Sequence, residues 1–223
     1  MASLTTPRLR RAFYARDPVT LARDLIGRIL FYRTPRGLIA GRIVETEAYT
    51  GDADPASHAF RGRTRRNAVM FGPAGFSYVY FSYGMHHCLN LTAERPGRAG
   101  AVLLRAVEVM AGEGIVRSRG VDGVASRLMS GPGKIGRALG LTLVDNGLDL
   151  TRGPLGVAAG DPVEDQAVAA VPRIGISRAV DLPYRFLLLG NPSVSVGVRR
   201  RVRATAPGRA DPGSRSRSGS RER

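Results

Sequence analysis

The sequence predicts an α+β fold, a single domain with a mainly antiparallel β-sheet. Segments rich in Ile, Val, Leu and Tyr follow one another through tight turns, as β-hairpins do. Strand-like and helix-like segments do not alternate as βαβ units, and neither a repeat nor a polar linker divides residues 1–198. With 223 residues, 43% of them hydrophobic, the chain is long enough to bury a sizeable core.

The individual elements follow from apolar patterns and turn residues. Asp17 and Pro18 have the pattern of an N-cap before a proline at the first helical position, which predicts a helix that stops at Gly27. Residues 110–139 should be helical in two pieces, with breaks around Gly120 and at residues 130–133. The expected strands are residues 28–33, 38–49, 76–83, 86–92, 101–107, 173–176 and 185–196.

The charge of the chain is strongly basic and unevenly distributed. Lys and Arg number 34 against 18 Asp and Glu, which gives a net charge of +16, and Lys134 is the only lysine. This balance indicates a polyanionic partner, because arginine pairs with phosphate through a planar fork of donors. Nine arginines against Asp211 and Glu222 give residues 199–223 a net charge of +7, which leaves +9 for the rest. We expect these residues to be a disordered tail after a domain of residues 1–198.

The composition excludes several classes of protein. Because Cys88 is the only cysteine, an intrachain disulfide framework, a cysteine-based zinc site and an iron–sulfur cluster are excluded. The first residues lack the apolar region of a signal peptide, and no window approaches the roughly 20 apolar residues of a membrane span. We expect a cytoplasmic protein, nucleoid-associated if bacterial, with no membrane partner, no metal and no cofactor.

Residues 41–50 carry the clearest chemical pattern. Regular alternation along a strand would place four side chains on one face: Ile43, Glu45, Glu47 and Tyr49. A carboxylate beside an aromatic ring can activate water next to a bound planar group. The alternative is that the two acids lie on a solvated sheet face, which the spacing alone favours.

A second cluster, residues 76–90, contains three tyrosines and two phenylalanines. Tyr78 and Tyr80 are packing residues by default, because aromatic faces of strands usually lie in the core. Tyr83 precedes Gly84 and Met85 at the expected hairpin tip. In a basic protein, an apolar side chain that projects in this way is typical of a wedge that unstacks DNA.

Three further patterns are weaker. The loop between the two clusters contains four arginines, which fit a phosphate-binding rim as well as a solvated basic loop: Arg61, Arg63, Arg65 and Arg66. Residues 130–134 lack the spacing of a P-loop but could begin a helix whose N–H groups meet a DNA phosphate. Asp52, Asp54 and His58 are too scattered to predict a metal site.

Together these segments resemble a known family. The matching positions are residues 42–49, 58, 66–67, 70–71, 78–80, 83–85, 90, 102–105, 130–134, 173–176 and 190–192. In order and spacing, over roughly residues 7–197, they resemble a bacterial member of the alkyladenine (3-methyladenine) DNA glycosylase family. The resemblance implies a curved, mainly antiparallel sheet flanked by helices, with a projecting hairpin. It also implies excision of alkylated or deaminated purines from double-stranded DNA by hydrolysis of the N-glycosidic bond.

The resemblance assigns roles in catalysis and base binding. It implies that Glu47 is the general base, and that Arg105 and the main-chain carbonyl of Tyr49 help to hold the attacking water. Tyr49, His58 and Tyr80 would enclose the extruded base. Departure of a cationic alkylated purine needs little further help, whereas neutral hypoxanthine needs a proton from an acid that the sequence does not identify.

The resemblance also assigns contacts to DNA and to the pocket floor. Asn90 would line the floor, where it can clash with the exocyclic amine of guanine. Tyr83 would enter the duplex at the place the nucleotide has left. The full set of implied DNA-binding residues is Tyr83, Met85, Arg63, Thr64, Arg66 and Lys134. The family pattern Thr-Pro-Arg-Asn is replaced here by Thr-Arg-Arg-Asn at residues 64–67, in a slightly shorter loop.

Lysine scarcity adds a constraint on mechanism. Glycosylases that also nick DNA form a Schiff base through an amine, and only Lys134 and the N-terminus offer one. We therefore expect a monofunctional enzyme that leaves an abasic site. Separately, we expect a monomer. Two alternatives are a non-catalytic nucleic-acid-binding module, which gives no reason for Glu47, and a small basic ribosome-associated protein.

Overall fold

A computed structural model describes residues 6–195, and the expected tail at residues 199–223 lies outside this range. The described residues form one α+β domain, as predicted. Its helices are α1 (Arg11–Tyr14), α2 (Pro18–Asp24), α3 (Glu113–Arg117) and α4 (Pro132–Leu139). Its strands are β1 (Ile29–Thr34), β2 (Gly37–Tyr49), β3 (Ser77–Ser82), β4 (His86–Thr92), β5 (Ala101–Ala111), β6 (Leu155–Ala158), β7 (Val168–Val171) and β8 (Arg185–Leu188). Short 3-10 turns occupy Gly51–Ala53, Ala68–Phe71, Ala125–Arg127, Leu143–Asp145 and Asp165–Ala167.

The eight strands form one antiparallel sheet built around β2. Six of them lie in the order β3-β4-β5-β2-β1-β6, and β8 pairs with both β2 and β7. One edge of β2 pairs with β5 along most of its length. The other edge pairs first with β1 and then, at residues 45–47, with β8. Residues 45–47 are therefore held between two neighbouring strands in the interior of the sheet.

The main core lies on the face of the sheet that α2 and α4 cover. Leu21 and Leu25 of α2 pack there with Leu104 of β5 and Ile135 of α4. The Thr46 hydroxyl donates a hydrogen bond of 2.8 Å to the carbonyl of Ala22, which ties β2 to α2. Outside this core, Val44 packs in a smaller apolar cluster with Ala106, Leu187 and Val194, and the carboxylates of β2 lie on the face opposite the main core.

An irregularity in the β2–β5 pairing corrects the expected distribution of side chains. The register passes from Ile43 directly to Glu45, so that Val44 has no partner on β5, and Arg105 has none on β2. Ile43 packs in the main core, whereas the other three members of the expected face lie on the opposite side of β2. The expectation that Ile43 shares their face is wrong, because an added residue in a β-bulge breaks the two-residue period.

Other expected elements also need correction. The strand predicted to end at residue 107 continues to Ala111, so Met110 lies in β5 and not in a helix. Residues 173–176 form no strand, and the strand expected over residues 185–196 is confined to Arg185–Leu188. The short strands β6 and β7 were not expected. Within residues 6–195, none of the helices has the length and apolar character that crossing a membrane requires.

The helix predicted from Asp17 and Pro18 is confirmed as α2. The Asp17 carboxylate accepts hydrogen bonds from the N–H groups of Val19 at 3.2 Å and Thr20 at 2.7 Å. Burial opposes the charge of this carboxylate, but the hydrogen bonds from Thr20 and Val19 outweigh it and hold the pKa of Asp17 below its ordinary value.

Replacing Asp17 by alanine is expected to lower the free energy of unfolding by about 1 kcal/mol at pH 7. Because folding lowers the pKa of this carboxyl, the loss should begin to shrink as the pH falls below about 4, the pKa in the unfolded chain, and should disappear once the pH is below the lowered pKa of the folded protein. Urea unfolding at pH 7 and pH 3 measures both values. Asp122→Ala, on an exposed loop, is the control; an equal loss in both variants would contradict the capping role.

Candidate active site

A cavity of about 790 Å³ opens on the polar face of β2 and β5. Its size lies within the range of about 300–1,000 Å³ that is usual for small-molecule sites. The β3–β4 hairpin and loop residues 55–58, 60, 61 and 66 form further walls. The cavity brings together eight of the predicted site residues: Glu47, Tyr49, His58, Arg66, Tyr80, Tyr83, Asn90 and Arg105.

Glu47 lies in the wall of this cavity, and three donors contact its carboxylate. Its Oε1 accepts a 2.8 Å hydrogen bond from the N–H of Ile174. Its Oε2 accepts a 3.0 Å hydrogen bond from the Tyr49 hydroxyl and lies 3.2 Å from Nη1 of Arg105. These three contacts fix the orientation of a buried carboxylate at the cavity surface, as a general base requires.

Arg105 joins Glu47 to a second buried carboxylate. Its Nε lies 3.2 Å from Oε1 of Glu45, while its Nη1 contacts Glu47. Burial opposes the charge of this guanidinium, but the two carboxylates raise the pKa of Arg105 above its ordinary value. The two acids of β2 therefore do not lie on a solvated face; they share one arginine in the interior.

Tyr49 contacts Glu47 through its hydroxyl and Arg173 through its ring. Burial, and then the negative charge of Glu47, raise the pKa of Tyr49, so its hydroxyl remains a hydrogen-bond donor. The guanidinium of Arg173 lies over the Tyr49 ring, 4.7 Å from its centroid. Arg173 also donates to the carbonyl of Ala48 at 2.9 Å and forms a bidentate, buried ion pair with Asp54. Arg173 thus holds the loop that follows β2 in place beside the Tyr49 ring.

His58, Tyr78 and Tyr80 form an aromatic wall. His58 Nδ1 lies 2.9 Å from the Tyr78 hydroxyl, and the His58 and Tyr80 rings meet edge to face with centroids 4.5 Å apart. Burial, and then the nearby charge of Arg66, lower the pKa of His58, which favours the neutral imidazole. Burial likewise raises the pKa of Tyr78 to about 12. Both shifts favour the uncharged forms of these side chains.

Asn67 organises the loop that carries His58, a role that the sequence analysis missed. Its Nδ2 donates to the carbonyls of His58 at 2.9 Å and Gly62 at 3.0 Å. Its Oδ1 accepts a 2.6 Å hydrogen bond from the N–H of Thr64. Asparagine commonly bonds to backbone groups of its own loop, so the position of Asn67 at the end of a polar loop could have indicated this role.

The β3–β4 hairpin presents Tyr83 to solvent. Tyr83 is 83% exposed and Met85 is 69% exposed. Tyr83 has φ of +50°, followed by Gly84 at +67°, and the N–H of Met85 donates to the carbonyl of Ser82. Positive φ at both central residues of a tight turn is costly for a tyrosine, and such strain is typical of functional positions.

The remaining predicted residues surround this hairpin and the cavity. Asn90 is buried, its Nδ2 donates a 3.1 Å hydrogen bond to the carbonyl of Tyr78, and it lines the cavity. Arg63, Thr64 and Met85 are exposed outside the cavity lining. Lys134 is also exposed, on the first turn of α4, where its Nζ donates 2.9 Å to the carbonyl of Arg127.

Residues 174–178 form a cavity wall that the sequence analysis did not predict. The segment was expected to be a strand, but its irregular backbone places the Ile174 N–H on Glu47. A local sequence pattern carries no signal for this contact, because the two residues lie 127 positions apart. Among residues 6–195, no group of three His, Cys, Asp or Glu side chains could hold a metal ion.

The site combines a buried carboxylate, a cavity with aromatic walls, a projecting tyrosine and nearby arginines. This combination defines a class of protein. Such a site suits a hydrolase that acts on a nucleobase drawn out of a nucleic acid. A module that only binds nucleic acid would not need Glu47 held in this way.

Comparisons with known proteins identify the family. The profile of the Methylpurine-DNA glycosylase (MPG) family matches residues 12–192, so the chain belongs to that family. A relative from Carboxydothermus hydrogenoformans is 47% identical over 188 residues, which cover 84% of this chain and 98% of the relative. A relative from Nocardia farcinica is 49% identical over 202 residues, which cover 87% of this chain and 92% of the relative. A relative from Methanoculleus marisnigri is 48% identical over 191 residues, which cover 84% of this chain and 98% of the relative. All three are named, provisionally, as 3-methyladenine DNA glycosylases. The protein is a base-excision-repair DNA glycosylase, a hydrolase of N-glycosyl bonds whose substrate is DNA.

Proposed function

We propose that the protein excises alkylated or deaminated purines from duplex DNA, with Glu47 as the general base. The observation that carries this proposal is the buried Glu47 carboxylate, which lies in the cavity wall with its neighbours Arg105 and Tyr49. The names of the relatives support 3-methyladenine as one substrate.

The first step of the proposed reaction is extrusion of the damaged nucleotide. A base inside the stack cannot be reached, and extrusion costs a few kcal/mol, least for damaged or mismatched bases. The exposed side chain of Tyr83 would fill the space left in the duplex. Tyr49, His58 and Tyr80 would enclose the extruded base, and an alkylated purine with a positive charge is attracted to the faces of such rings.

Hydrolysis then uses one water molecule. Glu47 takes a proton from this water while the oxygen of the water bonds to C1′ of the sugar. The electron pair of the C1′–N bond leaves with the base. Arg105 contacts Glu47 directly and would hold the water beside it, and we propose the same for the main-chain carbonyl of Tyr49. The product is an abasic site, and the DNA backbone remains intact.

Several finer assignments belong to this proposal. Asn90 would test the exocyclic groups of the base from the cavity floor. Met85, Arg63, Thr64, Arg66 and Lys134 would contact the DNA backbone or groove. We propose that the enzyme is monofunctional, that one copy suffices, and that it acts on DNA in the cytoplasm, on the nucleoid in a bacterium. The exposed side chain of Lys134 lies outside the cavity lining, which supports a reaction without a Schiff base.

Release of bases tests the proposed function. Duplexes that contain one hypoxanthine, one 7-methylguanine or one 3-methyladenine are incubated with the protein, and abasic sites are then cleaved with alkali. We expect cleavage at the lesion in alkali-treated samples and intact strands without alkali. If no lesion gives more cleavage than a control without protein, the proposal is wrong.

Tyr83→Ala is expected to weaken the preference for lesion-containing duplex by about tenfold, because the space left by the extruded nucleotide would stay empty. The salt dependence of binding should hardly change, because the variant removes no charge. Titration of labelled duplexes with and without a lesion, at several salt concentrations, measures both quantities. Phe60→Ala, which removes another exposed aromatic side chain in the cavity wall, is the control; unchanged preference in Tyr83→Ala would contradict the wedge assignment.

We also propose that residues 199–223 add salt-sensitive attraction to DNA without taking part in the reaction. A protein that ends at residue 198 should keep the single-turnover rate at saturating protein and lose affinity chiefly at low salt. Loss of the single-turnover rate in this truncated protein would contradict the assignment.

A further inference from the structure

Glu45 is a buried acid that the proposed reaction does not use. Its side chain is inaccessible to solvent and does not line the cavity. Burying a carboxylate is costly unless charges and hydrogen bonds compensate for the lost water. The contacts of Glu45 therefore indicate what its burial achieves.

On the side toward the cavity, Glu45 contacts Arg105. Glu45 Oε1 lies 3.2 Å from Nε of Arg105, and Glu47 Oε2 lies 3.2 Å from Nη1 of the same guanidinium. Two carboxylates thus hold different nitrogens of one planar group. With both in place, the plane of the guanidinium is fixed; with one removed, it can rotate about the other.

On the side away from the cavity, Glu45 is held by Arg185 of β8 and by Ser195. Oε1 accepts hydrogen bonds from Nη1 of Arg185 at 3.0 Å and from the Ser195 hydroxyl at 2.9 Å. Oε2 accepts a 2.7 Å hydrogen bond from the N–H of Ser195. Arg185 is fixed in turn by donation from its Nε to the carbonyl of Pro172 at 2.8 Å.

The charges of this group balance. Two carboxylates, Glu45 and Glu47, face two guanidinium groups, Arg105 and Arg185. Without the negative charge of Glu45, Arg105 would have Glu47 as its one carboxylate partner among the described residues. Glu47 would then be paired more tightly and would be a weaker acceptor for a proton from water.

We propose that Glu45 is a positioning residue that acts through Arg105 on the general base Glu47. This inference rests on the proposed function. Glu45 sets the plane of Arg105 and keeps Arg105 from pairing with Glu47 alone, while Ser195 and Arg185 hold Glu45 in place. The catalytic strand is in this way connected to the C-terminal segment of the domain.

A double-mutant cycle tests the proposal. Single-turnover base release at saturating protein is measured for wild type, Glu45→Gln, Arg105→Gln and the double variant. We expect Glu45→Gln to reduce the rate by about 10- to 100-fold in the wild-type background, with lesion affinity unchanged. In the Arg105→Gln background the same change should reduce the rate by less than about twofold, because the residue through which it acts is absent.

The control is Glu108→Gln, which removes another strand carboxylate bonded to the C-terminal segment. Glu108 Oε2 accepts a 3.2 Å hydrogen bond from Nδ2 of Asn191 but does not contact Arg105. We expect it to leave the single-turnover rate unchanged. An equal loss from Glu45→Gln in both backgrounds, or no loss at all, would overturn the proposal.

A second variant applies if Glu45→Gln is not recovered as folded protein. Ser195→Ala removes one hydrogen bond to Glu45 Oε1 and leaves the charge in place. We expect Ser195→Ala to reduce the rate by about threefold when Arg105 is present and to have no effect in the Arg105→Gln background. An equal loss in both backgrounds, or no loss when Arg105 is present, would count against the proposal. A wild-type protein that releases no base overturns the proposed function and this inference with it.

Discussion

Glu47→Gln is expected to slow base release by about 10²- to 10⁴-fold. The amide has nearly the same size and can still accept the hydrogen bond from Ile174, but it cannot take a proton from water. Binding to lesion-containing duplex should be retained, because the aromatic walls and the hairpin tip are unchanged. Single-turnover base release and duplex titration on the same preparation separate the two effects.

The matched control for this prediction is Asp52→Asn, an exposed carboxylate just beyond β2 that does not line the cavity. It should leave the rate unchanged. If Glu47→Gln released bases as fast as this control, Glu47 would not be the general base and the site would need a different source of activated water.

Asp54→Asn is expected to lower the free energy of unfolding by about 3–5 kcal/mol. Asp54 and Arg173 form a bidentate ion pair with both side chains inaccessible to solvent. Removing the carboxylate charge leaves a buried guanidinium without its partner, which costs far more than an exposed pair contributes. Urea unfolding, followed by fluorescence or circular dichroism, gives the difference in stability.

The exposed ion pair between Arg23 and Asp165 provides the comparison. Its atoms lie 2.8 Å apart, but the Asp165 side chain is 86% exposed. Asp165→Asn is expected to change stability by less than about 1 kcal/mol. Equal losses in the two variants would show that burial of the Asp54–Arg173 pair does not matter for folding.

Local patterns in the sequence predicted the elements that local chemistry determines. Asp17 and Pro18 predicted α2, since capping and the fixed φ of proline act within a few residues. The strands expected over residues 28–33 and 38–49, and over 76–83 and 86–92, form the β1–β2 and β3–β4 hairpins. The placement of Glu47, Tyr49 and Tyr80 around one cavity agrees with the resemblance to the family.

The features that were missed depend on residues far apart in the chain. The bulge at Val44 arises from the pairing of β2 with β5, so two-residue counting wrongly placed Ile43 beside Glu45. Strands β6 and β7 have four residues each and little alternation, and they exist because β1 and β8 offer edges. The wall at residues 174–178 has no regular pattern; the bond from Ile174 to Glu47 and the ion pair of the preceding Arg173 with Asp54 position it.

The bonds between Glu45 and Ser195 have a consequence for biosynthesis. Chains are made from the N-terminus, and β2 leaves the ribosome long before residue 195, which lies 150 positions later. Glu45 gains its hydrogen bonds from Ser195 only after residue 195 has been made. A chain that ends before residue 195 would lack these two hydrogen bonds, and we expect it to release bases more slowly than a chain that includes them.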